Sequence, residues 1–408
     1  MDKPHLLFLA HRIPYPPNKG DKIRSFNILS HLRRHFHVHL GAFIDDPDDW
    51  QYEDTLRAVC GEVCLIERSG AGKLLSAAHG LLDDTPLSVA LWSDPRMRSF
   101  VQRVIDRYNV RHSYVFSGQM AGYMMRHLSS RRMFIMDFVD MDSDKFTQYV
   151  RTSSWPMRRI YQREAVRLRQ FEKQIARTAD ACLFVSEDEA ALFRRHAGSY
   201  GHTVYALENG VDLEFFTPLE DETPVGERPP LGLVFTGAMD YRPNIEAAEW
   251  MVEDILPRVR DAVPGTHFTI VGSNPSRRIE ALGGRPGVTV TGRVPDVRPF
   301  IAAADVSVAP IRTARGVQNK VLEAMAMGKP VVATDQAYAG ISAEAGRDLI
   351  VTSGADAFAA AVVDLAKDDD ARRRIGEAAR KRVEEYYSWD RKMAVLDTLI
   401  ERHDRGAG

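Results

Sequence analysis

Short runs of uninterrupted apolar residues alternate along this chain with longer stretches whose apolar positions recur every three or four residues. Such alternation is the mark of strands followed by amphipathic helices. LLFLA, near the start, predicts a buried strand, IPYPPNKGDK a loop, and the text from Ile23 to Arg34 a helix. Further strands are expected at HVHLGAF, SYVF, MFIMDFV, ACLFVS and TVYAL. A second series begins at LGLVFTG and continues through HFTIVG, VTVTG, VSVAP and PVVAT. Strands apolar on both faces and separated by helices imply parallel sheets covered on each side. Between the two series the polar stretch LEDETPVGERPP reads as a linker. The expectation is an α/β chain of two Rossmann-like domains, residues 1–215 and 231–385, joined by 216–230 and followed by a terminal helix over 386–408.

Composition narrows this picture without changing it. At 408 residues the chain exceeds one ordinary core and suits two domains. A net charge of -2 excludes a globally basic nucleic-acid binder. Cys60, Cys64 and Cys182 form no paired CxxC set and read as buried thiols of a reducing compartment. The apolar run before His11 and Arg12 is too short for a signal-peptide core or a membrane span, so a cytoplasmic protein is expected, with the inner membrane face open to it. SGAGKLL lacks the first glycine and the hydroxyl residue of a phosphate loop and is rejected as one. No zinc pattern or solenoid repeat is present.

Candidate chemistry concentrates in GVQNKVLEAMAMGKPVVAT, from Gly316 to Thr334. Val317, Val321, Met325 and Ala326 form an apolar stripe, Gly328 sits where a helix ends, and Pro330 cannot continue it. Lys320 and Glu323 share a face near the N-terminal turn, where free N–H groups and the dipole attract phosphate. A cation and a carboxylate there suit a diphosphate and ribose hydroxyls. An exposed i,i+3 salt bridge on an ordinary helix is the plainer alternative.

The second glutamate motif, with Glu323, Ala324, Met325, Ala326, Gly328, Pro330 and the strand VVAT, resembles family 4 of the GT-B glycosyltransferases. NGVD at Asn209 to Asp212 and the terminal text YYSWDRKMAVLDTLIERH are similar to theirs as well. PYPPNKGDKIRSF, DFVDMDSDK, FTGAMDYRPN and RGVQNKVLEAMAMGKPVV look most like the bacterial exosortase/PEP-CTERM-associated exopolysaccharide glycosyltransferases. The family's first glutamate is absent: Arg315 holds its position. The resemblance implies two sheets facing across a cleft, an N-terminal acceptor side, a C-terminal nucleotide-sugar side, and a last helix that crosses back to the N-terminal domain. It also implies retaining transfer without a metal or other cofactor, from a nucleotide-sugar donor to a saccharide or lipid-linked acceptor. A nucleotide-sugar epimerase and a non-catalytic nucleotide-sugar-binding protein are the rival readings.

On that resemblance the donor contacts fall to Gly20, Gly237, Arg242, Arg293, Arg312, Gly316, Lys320 and Glu323. Met239 stands where a phosphate-binding arginine is usual, which shifts phosphate duty toward Arg312 and Lys320. A plain turn is the alternative for Gly20, and a rim side chain for Arg312. Asp137, Asp140, Asp142 and Asp144 crowd the end of an apolar strand, where they repel one another unless a cation intervenes. Asp140 and Asp142 are the catalytic candidates, as carboxylates facing sugar or acceptor. A metal-binding DxD pair, or a helix cap for Asp142 or Asp144, are the alternatives. From Arg151 to Arg177 the chain carries eight Arg/Lys against Glu164 and Glu172. That run suits anionic lipid head groups, a pyrophosphate-linked acceptor, or an ordinary solvated helix face.

Overall fold

The apolar runs are parallel strands, and away from the sheet edges most of their side chains are withdrawn from water on both faces. The computed structural model describes residues 3–17, 19–68, 85–129, 132–219, 229–313 and 317–406. The chain divides into one unit of Met1–Glu208 with Met393–Gly408 and a second of Asn209–Lys392.

In the first unit the strands are β1 (His5–Ala10), β2 (His37–Ile44), β3 (Val63–Glu67), β4 (His112–Phe116), β5 (Met133–Val139), β6 (Ala181–Phe184) and β7 (Val204–Ala206). They lie in the order β3-β2-β1-β4-β5-β6-β7, all parallel. Helix α1 (Gly20–Leu32) joins β1 to β2, and α2 (Asp142–Thr152) with α3 (Met157–Ala176) joins β5 to β6.

The second unit holds β8 (Gly232–Thr236), α4 (Arg242–Trp250), β9 (His267–Val271), β10 (Val288–Val290), β11 (Val306–Ala309), α5 (Asn319–Ala326), β12 (Val331–Thr334) and β13 (Ile350–Thr352). Its sheet runs β10-β9-β8-β11-β12-β13, again parallel. Gly328, at φ +68°, ends α5 as expected, with Lys329 N–H donating to Ala324 O at 3.0 Å. The NGVD segment packs within this unit, where Val211 N–H donates to Tyr387 O at 2.7 Å. The last helix, α6 (Trp389–Gly406), joins the first unit from Met393 onward: Asp397 meets His31 at 2.7 Å and Asp404 meets His112 at 2.8 Å.

Two strands escape the apolar pattern. β3 and β13 are edge strands, bonded on one side only. The residues of β13 are only half-buried, and of β3 only Val63 and Ile66 are buried, so neither needs a long apolar run. Much of the linker, residues 220–228, lies outside the described residues.

Inside the first sheet sits a buried ion pair. Arg24 Nε and Nη2 donate to Asp137 Oδ2 and Oδ1 at 2.9 and 3.1 Å, and both side chains are withdrawn from solvent. Tyr114 donates its phenol to the same carboxylate at 2.6 Å, and Arg24 Nη1 reaches Leu207 O at 2.5 Å. Removing one partner leaves the other charged and dry, so Asp137→Asn should cost about 3–5 kcal/mol. The expected outcome is a large drop in the first unit's urea midpoint; a change under about 0.5 kcal/mol would show the pair to be replaceable.

Candidate functional site

In an open parallel sheet a ligand crevice forms beyond the carboxyl ends of the strands, where the strand order reverses. The two orders put those points between β1 and β4 in the first unit and between β8 and β11 in the second. Each point gathers residues singled out by the sequence.

In the second unit Gly237 leaves the end of β8 at φ +156°, and its backbone oxygen lies 1.6 Å from where a Cβ on Gly272 would stand. Only glycine at 272, at the end of β9, permits that approach. Met239 is fully buried in the core, which explains why it can take no part in phosphate binding. A Cβ on Gly237 would fall 2.8 Å from Asn244 Nδ2 and 3.3 Å from Lys320 Cε, so the absent side chain makes room for both. Lys320, in the first turn of α5, donates from Nζ to Asn244 Oδ1 at 2.7 Å, while Asn244 Nδ2 donates to Ala238 O at 2.9 Å. The ammonium also stands 5.0 Å from the Phe235 ring centroid. Glu323 follows one turn later and is half-buried. Burial lowers Lys320 to about 8, offset in part by Glu323, and burial raises Glu323 to about 7, offset in part by Lys320. The ammonium is thus oriented by Asn244 rather than spent on a surface salt bridge. Asn244 was not singled out by sequence; its only signal is its place in FTGAMDYRPN, at the opening of α4.

Other candidates stand apart from this group. Arg242 is exposed and pairs with Glu246 on its own helix at 2.7 Å. The Arg312 guanidinium is exposed over Trp250, 5.2 Å from its ring centroid. Arg293 is exposed beyond β10, after Gly292 at φ +68°. Gly316 and Arg315 lie outside the described residues.

In the first unit the strand ends are tightly constrained. Asp140 N–H donates to Phe138 O at 2.9 Å across Val139, whose φ is +68°. That is a three-residue γ-turn, and the left-handed region is costly for a β-branched residue. The Asp137 carboxylate holds it by accepting from Val139 N–H at 3.1 Å. Beside it Ser117, at the end of β4, takes φ +77° and donates its N–H to Asp137 O at 2.7 Å.

Past these turns Lys145 reaches Asp140 at 2.8 Å and Asp142 at 3.0 Å. The crowded acids are therefore neutralised from within their own motif. Burial opposes the charge on Lys145, but Asp142 and Asp140 outweigh it and hold its pKa above the usual lysine value. Gln119 also donates to Asp142, at 3.2 Å. Asp142 is the first residue of α2, but the N-terminal N–H of Ser143 is satisfied by Glu172.

His11, at the carboxyl end of β1, completes this group and was not singled out as a site residue. Its ring stacks on Phe116 at 5.8 Å, its Nε2 lies 3.6 Å from Asp21, and its buried Nδ1 has no hydrogen-bond partner among the described residues. Burial, partly offset by Asp21, lowers its pKa to about 4, so it is neutral at physiological pH. Gly20 opens α1 nearby with nothing within 4 Å of a notional Cβ, which leaves space over the helix start. Lys22 turns inward to Asp49 at 2.6 Å. Among the described residues the one grouping with metal-ligand spacing is His31, His35 and Asp397, at the far end of α1.

Residues 230–368 match the family described as glycosyl transferases group 1, a match that covers much of the second unit. A GDP-mannose-dependent monoacylated alpha-(1-6)-phosphatidylinositol monomannoside mannosyltransferase of Corynebacterium glutamicum is 28% identical over 253 residues, 58% of this chain and 66% of that protein. The matched part thus spans just under two thirds of the length of that relative. Sucrose-phosphate synthase from Thermosynechococcus elongatus superposes at TM-score 0.71 with 19% identity, covering 99% of this chain and all of that one. Anabaena HepE in complex with UDP superposes at 0.67 with 17% identity over 98% of this chain and all of that one. These likenesses show the fold: two Rossmann-like units of the GT-B class.

Because burial lifts Glu323 from 4.5 to about 7, folding carries the cost of ionising it increasingly as pH rises through that interval. Glu323→Gln removes that cost. The expected outcome is a higher melting temperature than wild type at pH 8 and an equal one at pH 4; equal values at both pH values would mean that Glu323 titrates normally.

Proposed function

We propose that this chain is a retaining, metal-independent glycosyltransferase that moves a sugar from a nucleotide diphosphate sugar to a saccharide or lipid-linked saccharide in bacterial exopolysaccharide assembly. The observation that carries the reading is the Lys320–Asn244 pair beside Glu323, held over Gly237 at the reversal point of the second sheet. A pre-oriented ammonium at a helix N-terminus suits the diphosphate. A carboxylate with no competing donor among the described residues suits paired ribose hydroxyls. On the motif resemblance Arg312 is the further cation for the phosphates, Arg242 a weaker one already paired with Glu246, and Arg293 belongs to the loop expected at the base; Gly20 and Gly316 stay donor-contact proposals resting on that resemblance alone.

In such a reaction the acceptor oxygen bonds to the anomeric carbon as the bond to the diphosphate breaks. With retention by attack on the same face, the departing phosphate oxygen takes the acceptor proton, and no side chain need abstract it. Asp140 and Asp142 fit this scheme as carboxylates that orient the sugar or acceptor, since both are already engaged by Lys145. Lys145 already neutralises both carboxylates, which supports transfer without a metal there. The GDP-mannose dependence of the mannosyltransferases to which the chain is similar makes GDP-mannose the first donor to test. The exosortase/PEP-CTERM setting rests on the motif resemblance. A second reading, a protein that binds nucleotide sugar without transferring it, is favoured by Arg315 standing where the family's first glutamate is usual.

The test is thermal stabilisation by UDP-, GDP-, dTDP- and ADP-sugars in EDTA. One donor should raise the melting temperature without metal; a rise only with Mg²⁺ or Mn²⁺ would overturn the metal-free assignment. Lys320→Ala and Glu323→Ala should each weaken that donor by about 10–100-fold, the worth of a charged hydrogen bond. Asp140→Asn should leave donor affinity within about twofold and lower transfer by about 100-fold, as misplacement of a reacting group does. Donor binding with no transfer to any acceptor would favour the binding protein, and isomerised sugar without an acceptor the epimerase.

A further inference from the structure

The start of α2 carries Asp142 and Lys145 of the group above, but the outer face of the α2–α3 hairpin from Arg151 onward takes no part in it and is unusual. From Arg151 to Arg177 the chain has eight basic residues and two acids. Both acids are turned inside, each 2% exposed. Glu164 accepts from Leu87 N–H, Ser88 N–H and Ser88 Oγ at 2.7, 2.8 and 2.6 Å and so caps the helical turn Leu87–Ala90. Glu172 accepts from Ser143 N–H and Oγ at 3.0 and 2.6 Å at the start of α2. Each carboxylate thus meets the N–H groups that a helix start leaves unpaired.

What remains outside is positive and apolar. Arg151, Arg158, Arg159, Lys173 and Arg177 are exposed, with no acid of the same segment beside them in water. Trp155, in the turn between the helices, is 79% exposed, and Tyr149, Met157 and Val166 are also exposed. Large apolar side chains are seldom left in water in such company without a partner. An indole at the tip of a cationic hairpin matches the boundary of a bilayer, where the ring sits among head groups and arginines meet phosphates. Among the described residues no helix is long and apolar enough to cross a membrane, so contact through this hairpin would be peripheral.

We infer that the α2–α3 hairpin docks the protein onto an anionic lipid surface, with Trp155 and Met157 entering the interface and Arg158 and Arg159 binding lipid phosphates. Neither signal suffices alone, and stable peripheral binding generally takes two. The inference deepens the proposed use of a lipid-linked acceptor but does not depend on donor chemistry: the hairpin would bind vesicles whether or not the protein transfers sugar.

The test is co-sedimentation of the full chain with vesicles of phosphatidylcholine alone and with 30% phosphatidylglycerol. Binding is expected only to the anionic vesicles and should weaken in 0.5 M salt. Arg158→Gln with Arg159→Gln should lower the partition about fivefold for each cation removed. Trp155→Ser should weaken it further, and brominated acyl chains should quench fluorescence in wild type but much less in that variant. Unchanged melting temperature and donor-induced stabilisation in the variants would separate this from damage to the fold or donor site. Absence of binding to anionic vesicles, equal binding to neutral ones, binding unaffected by the substitutions, or retention on soluble polyphosphate without vesicle binding would each overturn it.

Discussion

The first unit depends on the buried pair of Arg24 and Asp137. Two opposite charges out of water are tolerable only when nearly every polar atom is matched, and here Tyr114, Val139 N–H and Leu207 O complete the matching. The pair does more than stabilise. By holding Val139 N–H, Asp137 keeps the γ-turn that leads into Asp140, and its backbone oxygen holds Ser117 in a second left-handed conformation on the next strand. Strain of this kind persists only where surrounding contacts over-determine it, and it gathers where ligands are handled.

The second unit reaches a similar end by different means. Its edge is shaped by missing side chains: Gly272 lets the backbone of Gly237 approach, and Gly237 leaves the gap that Lys320 and Asn244 fill. Lys320 and Glu323 then titrate toward each other, near 8 and 7, because both lie where water is scarce. A fold selected for stability alone would place neither there. A ligand bringing its own negative phosphates and hydroxyls would compensate both, which is how a site can be costly when empty and favourable when filled.

Charge placement also separates structural from outward-facing residues. Glu164 and Glu172 serve helix starts inside the unit, and burial raises Glu172 to about 7 despite the Ser143 bonds. Lys145 serves Asp140 and Asp142 within one motif. Where acids turn inward and cations stay out, a chain with a net charge of -2 still presents a locally basic face.

Apolar runs and their spacing determined the two parallel sheets, the helix ending at Gly328 and the set of strand-end loops, because a buried parallel strand needs continuous apolar text. They missed β3 and β13, since edge strands need less of it. Lys320 and Glu323 were legible because three residues of helix put them on one face whatever the neighbours. Which atom the ammonium meets was not legible: Asn244 lies 76 positions away, and the pairing of β8 with β11, whose ends lead into α4 and α5, brings them together. Likewise, four aspartates in one motif look alike in sequence. Lys145 meets Asp140 and Asp142 within their own motif, but tertiary structure alone decided that Asp137 is a buried partner of Arg24, 113 positions distant, because burial and long-range pairing depend on which strands become neighbours.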